Sequence, residues 1–324
     1  MFLGTAGSMP TAQRAPSSLL VRRGGERLLV DCGEGTQRQL LRSSVGLVEL
    51  REIFFTHYHA DHFLGLPGML KTFALRGRDL PITIYGPPGL RDLFTSLRRI
   101  FGRLTYPYEL VELRPGDAID RGDYALAAFQ VRHGVNGVGY ALVEADRPGR
   151  FDVAAADALG VPFGPERGAL QRGEPVNLAD GKTVAPEAVL GPPRPGRKIV
   201  LAGDTAYAET VVDASRGADL IVHEATFSED ERDRADETLH STAADAAHVA
   251  ASADASMLAL THLSPRYFGP DILDEARAIF PETVVPRDFD VVEVPFAERG
   301  PPRLLKGAVA PAKRKRETTP LEVP

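Results

Sequence analysis

Seven residues, Thr56 to His62 (THYHADH), constrain this chain more than any other stretch. They follow Ile53, Phe54 and Phe55, an apolar run that reads as a buried strand, and lead into Phe63 to Met69, an apolar segment with Gly and Pro that opens a helix. Three imidazoles and a carboxylate at a strand-to-helix turn are costly to desolvate unless something positive binds among them. A metal ion is the simplest candidate.

The remaining histidines strengthen that reading. Of the eight in the chain, His57, His59, His133, His223 and His262 stand directly after apolar strand-like runs, at the carboxyl ends where α/β folds gather ligands. His62 lies just beyond His59, His240 opens a helix, and His248 sits inside an Ala-rich helix. The five strand-end imidazoles read as one shared site. Asp204 follows the strand Ile199 to Ala202 through Gly203, so it too is delivered to a strand end. The single Cys32 excludes an intramolecular disulfide framework and a thiolate-only zinc site, leaving His and carboxylate as ligands. Asp61, Asp204 and the imidazoles suffice for two zinc ions, three neutral His on one and a mixed set on the other. Two metals about 3.5 to 4 Å apart would activate a bridging water and clamp a substrate's oxygens, so the residues point to a hydrolase with a dinuclear site.

A net charge of −6 argues against non-specific coating of nucleic acid, although basic clusters such as Arg98, Arg99 and Arg103 act locally. No apolar run approaches the roughly 20 residues needed to span a bilayer. The opening MFLGTAGSMP lacks the long apolar region of a signal peptide, so a cytoplasmic location without membrane attachment is expected.

Early strands arrive as hairpins, and from Lys198 strands and helices alternate, which predicts two sheets with helices outside. Residues 146–197 shift to Pro, Gly and charge, with one short helical piece near Asp152 to Leu159. The expected organisation is a main domain over 1–298 carrying that segment as an insertion. From Arg299 the composition, with Lys313 to Arg316, reads as a disordered basic tail over 299–324.

The set His57, His59, Asp61, His62, His133, Asp204 and His262 resembles the metallo-β-lactamase fold. That resemblance implies an α/β fold, an αββα sandwich of two mixed sheets with helices outside. Further segments resemble one branch, ribonuclease Z, an endonuclease family that trims tRNA 3′ ends. They are FLGTAGSMPT near the start, LLVDCGEGTQRQL from Leu28, FFTHYHADHFLGLPGML from Phe54, LAGDT from Leu201, HEATF from His223, HST from His240 and LTHLSPRY from Leu260.

This resemblance implies a zinc-dependent endoribonuclease that cuts precursor tRNA on the 3′ side of the discriminator nucleotide, leaving a tRNA 3′-hydroxyl. The alternative is a phosphodiesterase of the same fold acting on a small phosphodiester. By the resemblance, His57, His59 and His133 hold one zinc, Asp61, His62 and His262 the other, and Asp204 bridges. Asp61 also orients the attacking hydroxide, and Glu224 with His240 forms the proton-transfer pair. The segment 146–197 corresponds to the family's protruding flexible arm, with Gly164 and Pro165 in its substrate-binding element. Arg14 belongs to a substrate-facing loop, where Ala15 replaces the Asn usual in the family. Short members are homodimers in which one subunit's arm serves the other's site.

Overall fold

The alternating runs at the start of the chain pair into a six-stranded sheet in a computed structural model that describes residues 1–307. Its strands lie side by side in chain order: β1 (Phe2–Gly4), β2 (Ser18–Arg23), β3 (Glu26–Val30), β4 (Glu52–Phe54), β5 (Ile82–Gly86) and β6 (Tyr108–Glu112). β1, β2 and β3 are antiparallel neighbours, with Gly24 in the left-handed region at the β2–β3 turn. From β3 onward the pairing is parallel, because helices carry the chain back each time. These are α1 (Thr36–Arg42), the short α2 (Ala60–Phe63) continuing into α3 (Gly65–Leu75), and α4 (Leu90–Phe101).

The second sheet starts as a meander of β7 (Ala118–Asp120), β8 (Tyr124–Gln130) and β9 (Val138–Glu144). Residues 146–197 then leave the sheet. They form α5 (Val153–Ala158), α6 (Pro165–Gln171) and a small hairpin of β10 (Val176–Asn177) with β11 (Thr183–Val184). Bridges Arg147–Arg194 and Phe151–Leu190 close the base of this excursion. Ala156, Val161, Leu170, Val176, Val184 and Val189 bury a cluster of its own. Its composition reads as open loop, yet these apolar residues are spaced to meet once the two helices form.

The chain returns as β12 (Lys198–Leu201), antiparallel to β9. α7 (Glu209–Ser215), β13 (Leu220–Glu224), α8 (Arg232–Thr238), α9 (Ala243–Ser252), β14 (Leu258–Thr261), α10 (Gly269–Arg277) and β15 (Thr283–Val284) follow, and β12 to β15 pair in parallel. The seven-stranded order is β15-β14-β13-β12-β9-β8-β7.

Three apolar layers hold the sandwich. Between the sheets, Phe2, Leu28 and Phe54 of the first meet Tyr140, Leu142, Leu201 and Val222 of the second. Phe54 stacks on Tyr85 with ring centroids 4.4 Å apart. Outside the first sheet, Leu66, Met69, Leu70 and Phe94 of α3 and α4 cover Ile53 and Ile84. Outside the second, the alanines of α9 with Val211 and Ile272 cover Val200, Ile221 and Leu258. Small side chains let α9 sit close to the sheet, and each larger buried side chain contributes about 1.5 to 3 kcal/mol.

The tail expectation needs correction at its near end. β16 (Val291–Glu293) pairs with β17 (Arg303–Leu305), and Asp290 accepts hydrogen bonds from Gly307 N–H and Lys306 Nζ. Residues 303–305 therefore form a paired strand in place of the expected disordered tail, and the Asp290 bonds tie residues 306 and 307 to it. The rest of the expected tail, 308–324, lies outside the described residues.

Candidate metal centre

The two sheets deliver their strand ends to one place. β4 ends at Phe54, the turn behind it carries His57 and His59, and α2 carries Asp61 and His62. His133 follows β8, Asp204 follows β12, and His262 follows β14. Ligand atoms fall within 4.8 Å of one another in the groups His57–His59–His133, His57–His62–Asp204 and Asp61–His62–His262. Asp204 Oδ2 lies 3.3 Å from both His62 Nε2 and His262 Nε2 and 3.7 Å from His57 Nε2, so it stands between the groups. Asp61 Oδ2 is 3.1 Å from His262 Nε2 and accepts the Ser8 backbone N–H at 2.8 Å.

Glycine permits this convergence at one point in particular. Gly203 is left-handed (φ +68), and a Cβ there would come within 2.9 Å of Thr56 Cβ. Asp31 (φ 59) and His262 (φ 58) hold left-handed backbones without being glycine, a strained conformation of the kind that gathers at functional sites.

The imidazoles are held from behind. His62 Nδ1 is 2.8 Å from Asp31 Oδ2, His57 Nδ1 is 3.1 Å from Thr56 Oγ1, and His262 Nδ1 is 2.8 Å from Thr226 Oγ1. His133 Nδ1 faces the Leu239 carbonyl at 3.1 Å. Each of these contacts turns Nε2 toward the centre; His59 instead offers Nδ1, 3.0 Å from His57 Nε2. Orienting contacts of this kind fix the tautomer a metal ligand needs.

Charge at the centre asks for a cation. Burial opposes the charge of Asp204, but His262, His62 and His57 hold its pKa well below the usual carboxylate range. Burial and the adjacent imidazoles push His57 down to about 2, so it stays neutral. Burial also opposes charge on His62, but Asp204 and Asp31 outweigh it and raise that imidazole well above its ordinary value. His62 Nε2 is buried and has no hydrogen-bond partner among the described residues, although Asp204 Oδ2 is 3.3 Å away. A nitrogen without a hydrogen-bond partner that faces Asp204 and Asp61, with the neutral His57 beside it, belongs to the donor set of a metal site.

Glu224 and His240 meet beside this cluster. Glu224 ends β13, and His240 precedes α9, whose first turn is a capping box: Thr242 Oγ1 accepts Asp245 N–H and Asp245 Oδ2 accepts Thr242 N–H, both at 3.1 Å. That cap fixes the entry to the helix and so the position of His240. His240 Nδ1 is 2.8 Å from Glu224 Oε1. Burial works against its charge, but Glu224, then Asp204 and Asp61, raise it to about 9. That direction favours the protonated ring.

One expected placement comes out differently. His223 stands at a strand end, but its side chain points away from the centre. Leu220 and Val222 of β13 face the other sheet and Ile221 faces the helices, so His223, one position past Val222, shares the helix side; its Nδ1 meets the Glu224 carbonyl at 2.9 Å. Arg14 is half-buried and donates to Thr5 Oγ1 at 2.7 Å and to the Pro286 carbonyl at 2.8 Å, which closes its loop. Gly164 and Pro165 begin α6 in the excursion, apart from the ligand groups. Asp31, Thr56, Thr226 and Ser8 were not visible as site residues. Only Asp31, buried at the end of β3, carries a signal resembling that of Asp204.

Comparison with known proteins agrees with this geometry. Residues 26–263 match the family model described as "Beta-lactamase superfamily domain". The chain is 46% identical to ribonuclease Z of Methanosarcina acetivorans over 91% of its own length and 97% of that protein. It is 51% identical to ribonuclease Z of Myxococcus xanthus over 82% and 87%. The crystal structure of human tRNase Z, short form, superposes with a TM-score of 0.65 at 29% identity, covering 91% of this chain and 98% of that one.

Fold and site thus define a metallo-β-lactamase-superfamily hydrolase. Within that class the chain belongs to the ribonuclease Z family, endoribonucleases of tRNA 3′ processing.

Proposed function

We propose that this chain is a zinc endoribonuclease that cuts precursor tRNA on the 3′ side of the discriminator nucleotide and leaves a 3′-hydroxyl on the tRNA. The Glu224–His240 pair beside seven convergent ligands carries the reading, since hydrolysis that expels an alkoxide needs a proton donor at the leaving oxygen. His57, His59 and His133 would hold one zinc, Asp61, His62 and His262 the other, with Asp204 shared. When bound, two zinc ions supply Lewis acidity, lowering the pKa of water and neutralising charge that builds on the phosphate.

The protein's own groups do the rest. Asp61, held by the Ser8 amide, accepts a hydrogen bond from the attacking water and aims its lone pair at phosphorus. His240 gives its Nε2 proton to the leaving 3′-oxygen, while Glu224 keeps Nδ1 protonated and the ring in place.

Residues 146–197 form the arm that meets the tRNA body, and its own buried cluster lets it do so as a unit. Gly164 and Pro165, beside Phe163 (93% exposed), lie in the contacting element. A homodimer brings one subunit's arm to the other's centre, and the exposed Leu64, Leu75 and Ile100 offer apolar surface for it. No helix among the described residues is long and apolar enough to cross a membrane. Incubation of zinc-loaded protein with a 3′-extended precursor tRNA tests the activity, and a precursor left uncut would contradict it.

A further inference from the structure

Thr226 lies between the metal ligands and the proton-transfer pair. Its Oγ1 donates to Glu224 Oε2 at 2.5 Å, and the same oxygen is 2.8 Å from His262 Nδ1. A hydroxyl has one proton to give, and an ionised carboxylate can only accept. Donors surround Glu224, the Thr205 N–H and His240 Nδ1 at one oxygen and the Thr226 hydroxyl at the other, which is the setting of a carboxylate that only accepts. The hydroxyl proton therefore belongs to Glu224, and the oxygen must accept from His262. Nδ1 of His262 carries the hydrogen, and the neutral ring that a metal ligand requires then leaves Nε2 bare. That bare nitrogen is the one 3.1 Å from Asp61 and 3.3 Å from Asp204. The other oxygen of the same carboxylate, Glu224 Oε1, takes His240 Nδ1 and the Thr205 N–H, each at 2.8 Å.

We propose that Thr226 is a positioning residue that couples the metal centre to the leaving-group acid: one hydroxyl fixes the ligating tautomer of His262 and the orientation of Glu224 that presents His240. The inference rests on the roles proposed above for His262 and His240. A second threonine supplies an internal comparison. Thr56 Oγ1 donates to Asp31 Oδ2 at 2.9 Å and lies 3.1 Å from His57 Nδ1, the same arrangement behind another ligand. Asp31, however, reaches His62 and not His240. Thr56 thus orients ligands alone, whereas Thr226 orients a ligand and the acid together.

Four variants of the full-length protein separate these functions: Thr226→Val, Thr226→Ser, Thr56→Val and His240→Ala. Zinc affinity is measured by competition with a chromophoric chelator, and the Co(II)-substituted protein reports ligand geometry through its visible spectrum. Rates are compared at saturating zinc on precursor tRNA, whose alkoxide leaving group needs a proton, and on bis(p-nitrophenyl) phosphate, whose phenolate does not. Thr226→Val is expected to weaken one of the two metals about 10- to 100-fold and to alter the Co(II) spectrum, with Thr226→Ser restoring both. At saturating zinc it should lose about tenfold more rate on precursor tRNA than on the activated diester, while Thr56→Val slows the two substrates alike.

Wild-type metal affinity in Thr226→Val, or equal slowing of both substrates by it, overturns the coupling. Where Thr226→Val melts early by circular dichroism, Thr226→Ala removes the same hydroxyl with less bulk and is read in its place. His240→Ala tells the two failures apart. A variant that slows both substrates alike overturns the proton-donor reading itself, whereas a split there without one in Thr226→Val overturns only the role of Thr226.

Discussion

His240 Nδ1 and Glu224 Oε1 stand 2.8 Å apart across a link of 16 residues in sequence, and the carboxylate of the pair is completely enclosed. The enclosed carboxylate can serve only the groups that touch it. In the proposed mechanism the pair delivers protons, a role suited to an imidazole whose charge burial opposes but whose pKa Glu224 raises to about 9. Replacing Glu224 by Gln keeps the shape and removes the charge that stabilises His240⁺. Cleavage of precursor tRNA should fall by about two orders of magnitude or more, with the Michaelis constant little changed, as followed by gel-resolved single-turnover kinetics.

Asp204 lies within 3.3 to 3.7 Å of imidazoles from both ligand groups. Asp204→Ala should therefore lower the content of both metals, whereas His133→Ala should lower that of one. Elemental analysis after dialysis against a weak chelator distinguishes the outcomes. The loss should also lower the melting temperature, because metal bound only to the folded state stabilises it by mass action.

Gly203 combines a left-handed backbone with Thr56 Cβ only 2.9 Å from where its own Cβ would be. Gly203→Ala should cost about 1 to 3 kcal/mol through backbone strain, before any effect on metal binding. Urea denaturation of the metal-free protein isolates that term.

What could be read in advance followed the chemistry of individual side chains. Imidazoles and carboxylates at strand ends announce themselves, because few other reasons place them there together. Thr56 and Thr226 did not, since a threonine is ordinary in a strand and only the partner behind it reveals its use. His223 shows the limit of the strand-end argument: its position along β13 was right, but alternation sends His223 and Glu224 to opposite faces. The main sheets were legible from alternation and the turn glycines. α8, with the sequence RDRADET, has no apolar stripe to announce a helix. α6 and the small hairpin of the excursion become stable only by burying Leu170, Val176 and Val184 against one another, which no local window displays.

Glu144 on β9 ties the two sheets together. Arg23 of β2 donates to it at 2.8 Å, and Arg197 donates at 2.6 and 2.8 Å. Burial alone would raise its pKa, but the hydrogen bonds from Arg197 and Arg23 outweigh burial and bring it down to about 2. A depressed folded pKa means the carboxylate stabilises the fold fully above its unfolded value of about 4.3, and that contribution is lost as pH falls toward 2. Glu144→Gln should cost about 1 to 2 kcal/mol at pH 7 and flatten the stability profile between roughly pH 4 and 2. Chemical denaturation across that range measures it.

The most direct test of the central claim is to map the new 3′ end produced from a 3′-extended precursor tRNA by protein whose zinc content has been measured. The account predicts about two zinc ions per chain and a single cut after the discriminator nucleotide leaving a 3′-hydroxyl, with the cut absent in Asp61→Ala. A zinc-loaded protein that leaves the precursor intact, or an Asp61→Ala variant that cuts it at the wild-type rate, would contradict the account.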